Sequence, residues 1–233
     1  MGERVAVGQV VRRVYEIYVE QAPVLMPAAA VVFVFTGIVA SLLVEANRNY
    51  ELLALIITVV ATTIFTGMIV ELVADLRDGR RDANALSLLR AVGPVFGQLL
   101  AVGIVVAVGV AAGLVLFLIP GLYLITVWSV AAPVVVVERP PGLHALRRSR
   151  ELVRGNGWQV FAVVLLLTFL VGAVAAGIDV AAGSAGKGAG LAVRVVLGVL
   201  AAPISALAQA VLYFDLRAAQ VTASDPPVPA SGP

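Results

Sequence analysis

The sequence predicts an all-α integral membrane protein with six transmembrane helices, arranged as three units that each contain an interfacial amphipathic helix and two spans. Of the 233 residues, 61% are hydrophobic and 13% are charged, and the mean hydropathy is +1.04. A soluble domain is nearer half apolar and a quarter charged. The apolar residues form six long runs, and one bilayer crossing needs roughly 20 apolar residues. The chain therefore requires a bilayer as its solvent.

The six runs give the predicted spans and one membrane domain, residues 1–217. The spans are 24–44, 52–73, 97–118, 122–137, 158–181 and 191–214. The first run is too long for a signal-peptide core and lacks a convincing cleavage site, so we expect it to stay in the membrane. Residues 218–233 form a Pro-rich tail that we expect to be disordered.

Glycine and proline mark the expected breaks between and within these spans. Pro120-Gly121 predicts the turn that closes the third span, and Gly183 to Gly190 predicts a flexible loop between the last two. The fourth run is short, about 16 residues against the roughly 20 of a full crossing. It contains Pro133, so we expect it to be kinked or to cross incompletely. Pro203 predicts a kink in the sixth span.

The segment from Gly142 to Phe161 predicts a basic amphipathic helix that leads into the fifth span. Its charged residues recur at helical spacing, and an apolar stripe complements them. We expect the helix to lie in the headgroup layer, with its apolar face toward the membrane and its arginines toward phosphate. Trp158, after the break at Gly155-Asn156-Gly157, would sit at the interface. The charged residues are His144, Arg147, Arg148, Glu151 and Arg154, and the stripe is Leu143, Leu146, Ser149, Leu152 and Val153.

A similar segment occurs near the start of the chain. Arg12-Arg13-x-x-Glu16 aligns without a gap with Arg147-Arg148-x-x-Glu151. Each segment precedes a pair of apolar runs, which predicts an internal repeat. A weaker third copy is Asp82 to Val92, before Pro94 and another long run.

The distribution of Lys and Arg predicts the orientation. Thirteen of these residues lie on one side of the predicted spans and three on the other. The positive-inside rule places the richer side, with both termini, in the cytoplasm. We therefore expect a multi-pass protein of the cell membrane. The net charge of +2 reflects this topology and predicts no nucleic-acid partner.

Few residues have a pattern that indicates catalysis or a cofactor. The chain has no cysteine, and His144 is its only histidine. Neither a catalytic nor a nucleotide-binding motif is present. The sequence therefore predicts no enzyme activity, no cofactor and no metal site.

Polar residues inside the runs leave two interpretations open. Glu71 and Asp215 lie near span ends, where their charges can reach water, and Asp179 could pair with Arg194 across a loop. The span centres hold uncharged polar residues, which could line a transport path or only form hydrogen bonds between helices. They are Thr58, Thr62, Thr63, Thr66, Thr168 and Gln209.

Small residues predict close contacts between helices, within one chain or in a homo-oligomer. Gly109-x-x-x-Gly113 lies in the third span, and Ala202, Ala206 and Ala210 share one face of the sixth. Small residues at this spacing let helix backbones approach closely in lipid.

The arginines of the two similar segments are the main functional candidates. Arg presents a planar fork that suits phosphate, so these residues could bind anionic lipid headgroups; they could equally serve only to fix topology. The leading hypothesis is a non-catalytic anchor or scaffold that binds anionic membrane lipids. The alternative is a transporter of lipids or small solutes, because Pro interrupts the second span of two units. The candidate residues are Arg12, Arg13, Arg147, Arg148, Arg154 and Trp158.

Several short motifs resemble the glycerophosphoryl diester phosphodiesterase membrane-domain family. They are Gly8 to Tyr18, Ile119 to Tyr123, Pro133 to Trp158 and Leu212 to Arg217. The resemblance implies a multi-span membrane module, which in this family is sometimes fused to a soluble catalytic barrel. The chain contains no such barrel, so the family's hydrolytic activity is not implied.

Overall fold

Helices make up almost all of the structure. The computed structural model describes residues 7–79, 85–184 and 187–224, and no strand occurs within these ranges. The helices are α1 (Val7–Glu20), α2 (Ala22–Ala46), α3 (Glu51–Arg77), α4 (Ala85–Val92), α5 (Phe96–Leu116), α6 (Leu118–Val127), α7 (Ala131–Glu138), α8 (His144–Val153), α9 (Gly157–Ser184) and α10 (Lys187–Ser224). Short 3-10 turns at Arg48–Tyr50 and Gly93–Val95 precede α3 and α5.

Six helical stretches in the described part are long and apolar enough to cross a bilayer. They are Ala22–Leu43, Leu53–Arg77, Leu86–Leu116, Leu118–Glu138, Gly157–Val174 and Gly198–Val221. Each overlaps one of the predicted spans. The protein is thus an all-α, multi-pass membrane protein.

The turn between the third and fourth spans lies earlier than Pro120-Gly121, where we predicted it. The chain turns at Phe117, which has extended backbone angles between α5 and α6. Pro120 instead lies in the first turn of α6, where a proline costs no helical hydrogen bond. Gly121 packs against Gly113 so tightly that a Cβ on Gly113 would lie 2.9 Å from the Gly121 Cα. This contact brings α5 and α6 together, as small residues allow.

The fourth span is interrupted, as Pro133 predicted, and the break lies on the N-terminal side of the proline. Helix α6 ends at Val127 and α7 begins at Ala131. Pro133 has no N–H to offer the carbonyl of Ser129, and its ring would crowd that carbonyl in a continuous helix. The Ser129 hydroxyl donates to Thr126 O at 2.9 Å, and the Ser149 hydroxyl of α8 donates to Val127 O at 2.8 Å. The Ser149 side chain therefore satisfies a carbonyl that the break leaves free, and the Ser129 hydroxyl adds a bond to the Thr126 carbonyl, which also accepts from the Ser129 N–H.

The last two helices extend beyond the predicted spans. Helix α9 continues to Ser184 and α10 begins at Lys187, so much of the predicted loop from Gly183 to Gly190 is helical. Helix α10 continues through Pro203 and ends at Ser224, which corrects the prediction that disorder begins at residue 218. The predicted pairing of Asp179 with Arg194 concerns side chains outside the described part of the structure.

The apolar faces of α1 and α8 pack against protein, whereas we expected them to face the membrane. Val10 and Val14 of α1 are buried in the hydrophobic core, as are Ala145, Leu152 and Val153 of α8. Neighbouring helices cover these faces because α1 packs on α10 and α9, and α8 on α7, α10 and α6. On α1, Val11, Tyr15 and Val19 remain as an exposed apolar strip.

Two polar contacts fix α1 along α10. The Tyr18 hydroxyl donates to Leu200 O at 2.9 Å, and Arg13 forms an ion pair with Asp215 at 3.6 Å. Leu200 and Asp215 are separated by about 22 Å of helix rise. Helix α1 is thus tied to α10 at two widely separated points.

Candidate functional site

The two Arg-Arg-x-x-Glu segments use their residues in the same way. The first arginine of each segment is exposed and pairs with the glutamate four positions later, Arg12 with Glu16 and Arg147 with Glu151. The second arginine of each forms an ion pair with a carboxylate of another helix. Arg13 forms an ion pair with Asp215 of α10, and Arg148 forms one with Glu138 of α7. The structure therefore shields Arg148 from much of the solvent, whereas Arg12, Arg13 and Arg147 stay exposed.

Arg148 takes part in a group of polar contacts at this end of the bundle. Its Nε donates to Glu138 Oε2 at 2.8 Å, and the Tyr213 hydroxyl donates to Glu138 Oε1 at 3.0 Å. The hydrogen bond to Glu138 raises the pKa of Arg148 above its ordinary value, because the bond favours the charged form. One carboxylate thus joins α7, α8 and α10.

Gln220, in the C-terminal extension of α10, also binds α8. Its amide nitrogen donates to Glu151 O at 2.9 Å, and its amide oxygen accepts from Arg148 Nη1 at 3.3 Å. No sequence pattern indicated this contact, because the predicted sixth span stopped at residue 214.

Asp215 joins two further arginines to α10. Arg77 Nη2, at the end of α3, donates to Asp215 Oδ1 at 2.8 Å, and Arg13 approaches the same oxygen. The Arg77 guanidinium also lies 4.8 Å from the centre of the Phe214 ring, within the range of a cation–π contact. Sequence reasoning placed Asp215 near water, but it lies between two arginines.

The connection between α7 and α8 is also held by polar contacts. Arg139, with φ of 49°, adopts a left-handed conformation at the end of α7, and its guanidinium lies 3.5 Å from Glu71. The Gln98 amide donates to Pro140 O and, at 2.9 Å, to Gly142 O. Arginines from three predicted polar segments therefore form ion pairs at one end of the bundle.

The outer face of α8 carries a different arrangement. Arg147, Arg150 and Arg154 lie at helical spacing on this face and are exposed. Within the described ranges, Arg150 and Arg154 have no carboxylate partner. Trp158 is 77% exposed and its ring centre lies 5.4 Å from that of Phe161. Five of the six predicted headgroup residues, Arg12 and Arg13 included, thus remain accessible.

An apolar groove begins beside Trp158. It has a volume of about 330 Å³ and runs between α6, the end of α8 and the start of α9. Val153 and Gly157, which flank Arg154, contribute to its lining, with Tyr123 and Phe161. An arginine-rich face and an apolar groove therefore adjoin.

Two partly open cavities lie at the break in the fourth span. The smaller, about 190 Å³, is lined by Thr62, Thr63 and Thr66, and the larger, about 580 Å³, lies between α5, α6, α9 and α10. Trp128 and Gln209 line both cavities. The structure thus brings together the span-two threonines and Gln209, which the sequence proposed as a polar path. Thr58 donates to Ala54 O within α3.

Gly109 positions Trp128 at these cavities. A Cβ on Gly109 would lie 2.5 Å from the Trp128 ring, so the indole packs directly on the backbone of α5. In the described ranges, no group of three or more His, Asp or Glu side chains is arranged to hold a metal ion.

The fold and these contacts define a multi-pass α-helical membrane protein with one ion-paired, arginine-rich end. The family model of DUF8558, a domain of unknown function, matches residues 84–219, more than half of the chain, and the protein belongs to this family. The match includes the second Arg-Arg-x-x-Glu segment. Neither a curated protein nor a solved structure matches the chain. The resemblance to the glycerophosphoryl diester phosphodiesterase membrane-domain family stays a prediction.

Proposed function

We propose that the protein is a non-catalytic scaffold of the cell membrane that binds anionic lipid on its cytoplasmic face through α8. One observation carries the proposal: Arg147, Arg150 and Arg154 share an exposed face, and Glu151 is the one carboxylate among them. An exposed guanidinium near an anionic leaflet contributes about 1 kcal/mol of binding, and its planar fork suits phosphate oxygens.

The adjoining groove supports the same function. An acyl chain could enter the apolar groove beside Trp158 while its phosphate lies against Arg154. Tryptophan favours the boundary between apolar and polar layers. The proposed orientation, with both termini in the cytoplasm, would place this face against the anionic leaflet.

The second arginine of each segment, Arg13 or Arg148, has a different role. Arg13 and Arg148 form ion pairs with carboxylates that also hold α10 and α7 in place. We therefore assign them to the packing of the bundle and narrow the lipid site to α8 and Trp158.

Native mass spectrometry tests the proposal. Protein is exchanged into micelles that contain equal amounts of phosphatidylglycerol and phosphatidylcholine, and bound lipids are counted for the wild type and for Arg147→Gln/Arg150→Gln/Arg154→Gln. The wild type should retain phosphatidylglycerol preferentially, and the triple variant should lose this preference. The control, Arg12→Gln, removes an exposed arginine from α1. An unchanged preference in the triple variant, or an equal loss in Arg12→Gln, contradicts the proposed site.

A second candidate function is transport of a lipid or small solute, favoured by the cavities beside the interrupted fourth span. Discontinuous spans at the centre of a bundle line substrate sites in many transporters. Flux assays in proteoliposomes test this candidate. A flux that Gln209→Leu abolishes supports transport, whereas no flux of any tested lipid or solute opposes it.

A further inference from the structure

Trp128 and Gln209 form the boundary between the two cavities. Both side chains, with Val106, line the smaller cavity of about 190 Å³ and the larger one of about 580 Å³. The larger volume is within the range of small-molecule sites in proteins, about 300–1,000 Å³. The two cavities therefore share the polar side chains of Trp128 and Gln209.

The cavities lie within the apolar part of the bundle. Gln209 precedes Asp215 by about 9 Å of helix rise, and Thr66 precedes Glu71 by about 7.5 Å. Among the residues that the structure describes, those that line the two cavities are all uncharged. A charged ligand that enters these cavities would lose its hydration and would find no lining residue of opposite charge.

Several polar groups at this place are available to a ligand. Neither the Gln209 amide nor the Trp128 indole N–H hydrogen-bonds to another described residue. The hydroxyls of Thr62, Thr63 and Thr66 donate to carbonyls of their own helix at 2.7–2.9 Å, which leaves their oxygens free to accept. The boundary therefore offers donors from Gln209 and Trp128 and acceptors from Gln209 and the threonines.

The larger cavity is apolar away from this boundary and reaches the outer surface of the bundle. Val110, Val163 and Leu167 supply apolar walls, and the exposed residues Thr168 and Gly172 line the side formed by α9. An apolar chain could enter there from the surrounding lipid.

We propose that this pair of cavities binds a neutral amphiphile. Its uncharged head, a hydroxyl, carbonyl or amide, lies between Gln209, Trp128 and the threonines, and its apolar body fills the larger cavity. A charged head is excluded because the site has no residue to compensate the cost of burying a charge. This site is separate from the arginine face of α8, and binding here does not require transport.

The two tryptophans of the chain allow a direct binding test. In Trp158→Phe, Trp128 is the single tryptophan, and bromine atoms quench tryptophan emission on contact. The protein in nanodiscs is titrated with 9,10-dibromostearyl alcohol, which is neutral, and with the same chain carrying a sulfate head. We expect saturable quenching of Trp128 by the alcohol and none by the sulfate.

Three further variants, each made in Trp158→Phe, locate the site. Gln209→Leu should weaken alcohol binding about fivefold, the effect of one net hydrogen bond. Gly172→Phe should block binding, because Gly172 lines the larger cavity. Its matched control, Gly177→Phe, should bind as the parent does. A Cβ at either glycine meets no atom within 4 Å, so both changes are compatible with folding.

Other outcomes overturn the proposal. Quenching that rises linearly with either probe, as in a Trp128→Phe protein where only exposed Trp158 reports, shows bulk lipid contact alone. Equal binding of the sulfate contradicts the neutral-head assignment. Unchanged affinity in Gln209→Leu or Gly172→Phe contradicts the position of the site. None of these results bears on lipid retention by the α8 arginines.

Discussion

Arg148 of α8 donates a hydrogen bond to the Glu138 carboxylate of α7 at 2.8 Å, and both side chains are mostly shielded from solvent. The adjacent Arg147 pairs only with Glu151 on its own helix and is 74% exposed. Two neighbouring arginines of one motif therefore have different roles: Arg148 joins α8 to α7, and Arg147 pairs within α8. Their contributions to stability should therefore differ.

Arg148→Gln should destabilise the protein much more than Arg147→Gln. Loss of Arg148 leaves Glu138 without its cation, which we expect to cost about 1–3 kcal/mol because the pair is partly exposed. An exposed pair on one helix contributes only about 0.3–0.5 kcal/mol. Thermal unfolding of both variants in one detergent is the measurement. Equal midpoints would show that Arg148 has no structural role.

The guanidinium of Arg148 should stay charged at every pH that the fold survives. The bond to Glu138 raises its pKa in the folded state, so its contribution is fully present below the unfolded value and is lost only as the pH rises through the folded one.

Tyr213→Phe should also weaken the junction of α7 and α10. Tyr213 is fully buried and donates to Glu138 at 3.0 Å, and its removal leaves that oxygen unsatisfied. The expected loss is about 1–2 kcal/mol of unfolding free energy. Tyr50→Phe, at an exposed tyrosine, is the matched control and should unfold as the wild type does. A loss of similar size in both variants would place the effect outside the Glu138 contact.

Tyr18 should make the stability sensitive to alkaline pH. Its pKa is raised by burial, since desolvation penalises the phenolate. The folded pKa is above the ordinary value of about 10, so the contribution of Tyr18 is fully present below that pH. It is lost as the pH rises through the folded pKa.

Ionised Tyr18 also has no proton to donate to Leu200 O. Tyr18→Phe should therefore lower the unfolding midpoint at pH 8 and flatten its fall above about pH 10. The unfolding midpoints of the wild type and Tyr18→Phe are measured at pH 8 and at several values above about pH 10. If the wild type and Tyr18→Phe show the same alkaline slope, another group is responsible.

Gly109→Ala should disturb the packing of Trp128. The new methyl would lie 2.5 Å from the indole, so the ring has to move, at a cost of about 1–3 kcal/mol. Gly103→Ala on the same helix meets no atom within 4 Å and serves as the control. Trp128 emission, measured in a Trp158→Phe background, should shift in Gly109→Ala only. An unshifted spectrum would mean that the ring and the backbone of α5 are not in close contact.

The sequence predicted the six apolar helices well because span length and composition are local properties. It placed the turn before α6 at Pro120, although proline is tolerated in a first helical turn and the chain turns at Phe117. It also gave Arg147 and Arg148 the same role, because their partners are set by tertiary packing. Glu138 and Gln220 contact Arg148 only once α7, α8 and α10 have packed together.

The residues around the cavities were likewise predictable only in part. The threonines of α3 and Gln209 were recognisable as polar residues in apolar runs. Their shared position beside Trp128 follows from the break before Pro133 and from Gly109, which lets the indole approach α5. This arrangement depends on the packing of several helices, so it cannot be predicted from any one segment of the sequence.

Truncation after Arg217 should loosen α8. This change removes Gln220, whose amide bonds both Arg148 and Glu151 O, and shortens α10 where it packs on α8. Loss of two hydrogen bonds, one of them to a charged group, predicts a decrease of about 1–3 kcal/mol.

Limited proteolysis at the arginines of α8 is the readout for this truncation, because trypsin cleaves the peptide bonds after these arginines only when the helix unfolds locally. Gln220→Leu in the full chain is the point variant that separates the hydrogen bonds from the helix extension. Faster cleavage in Gln220→Leu assigns the effect to these bonds, and faster cleavage only after truncation assigns it to the packing of residues 218–224. Equal cleavage of all forms would show that α8 is held by Glu138 and the core alone.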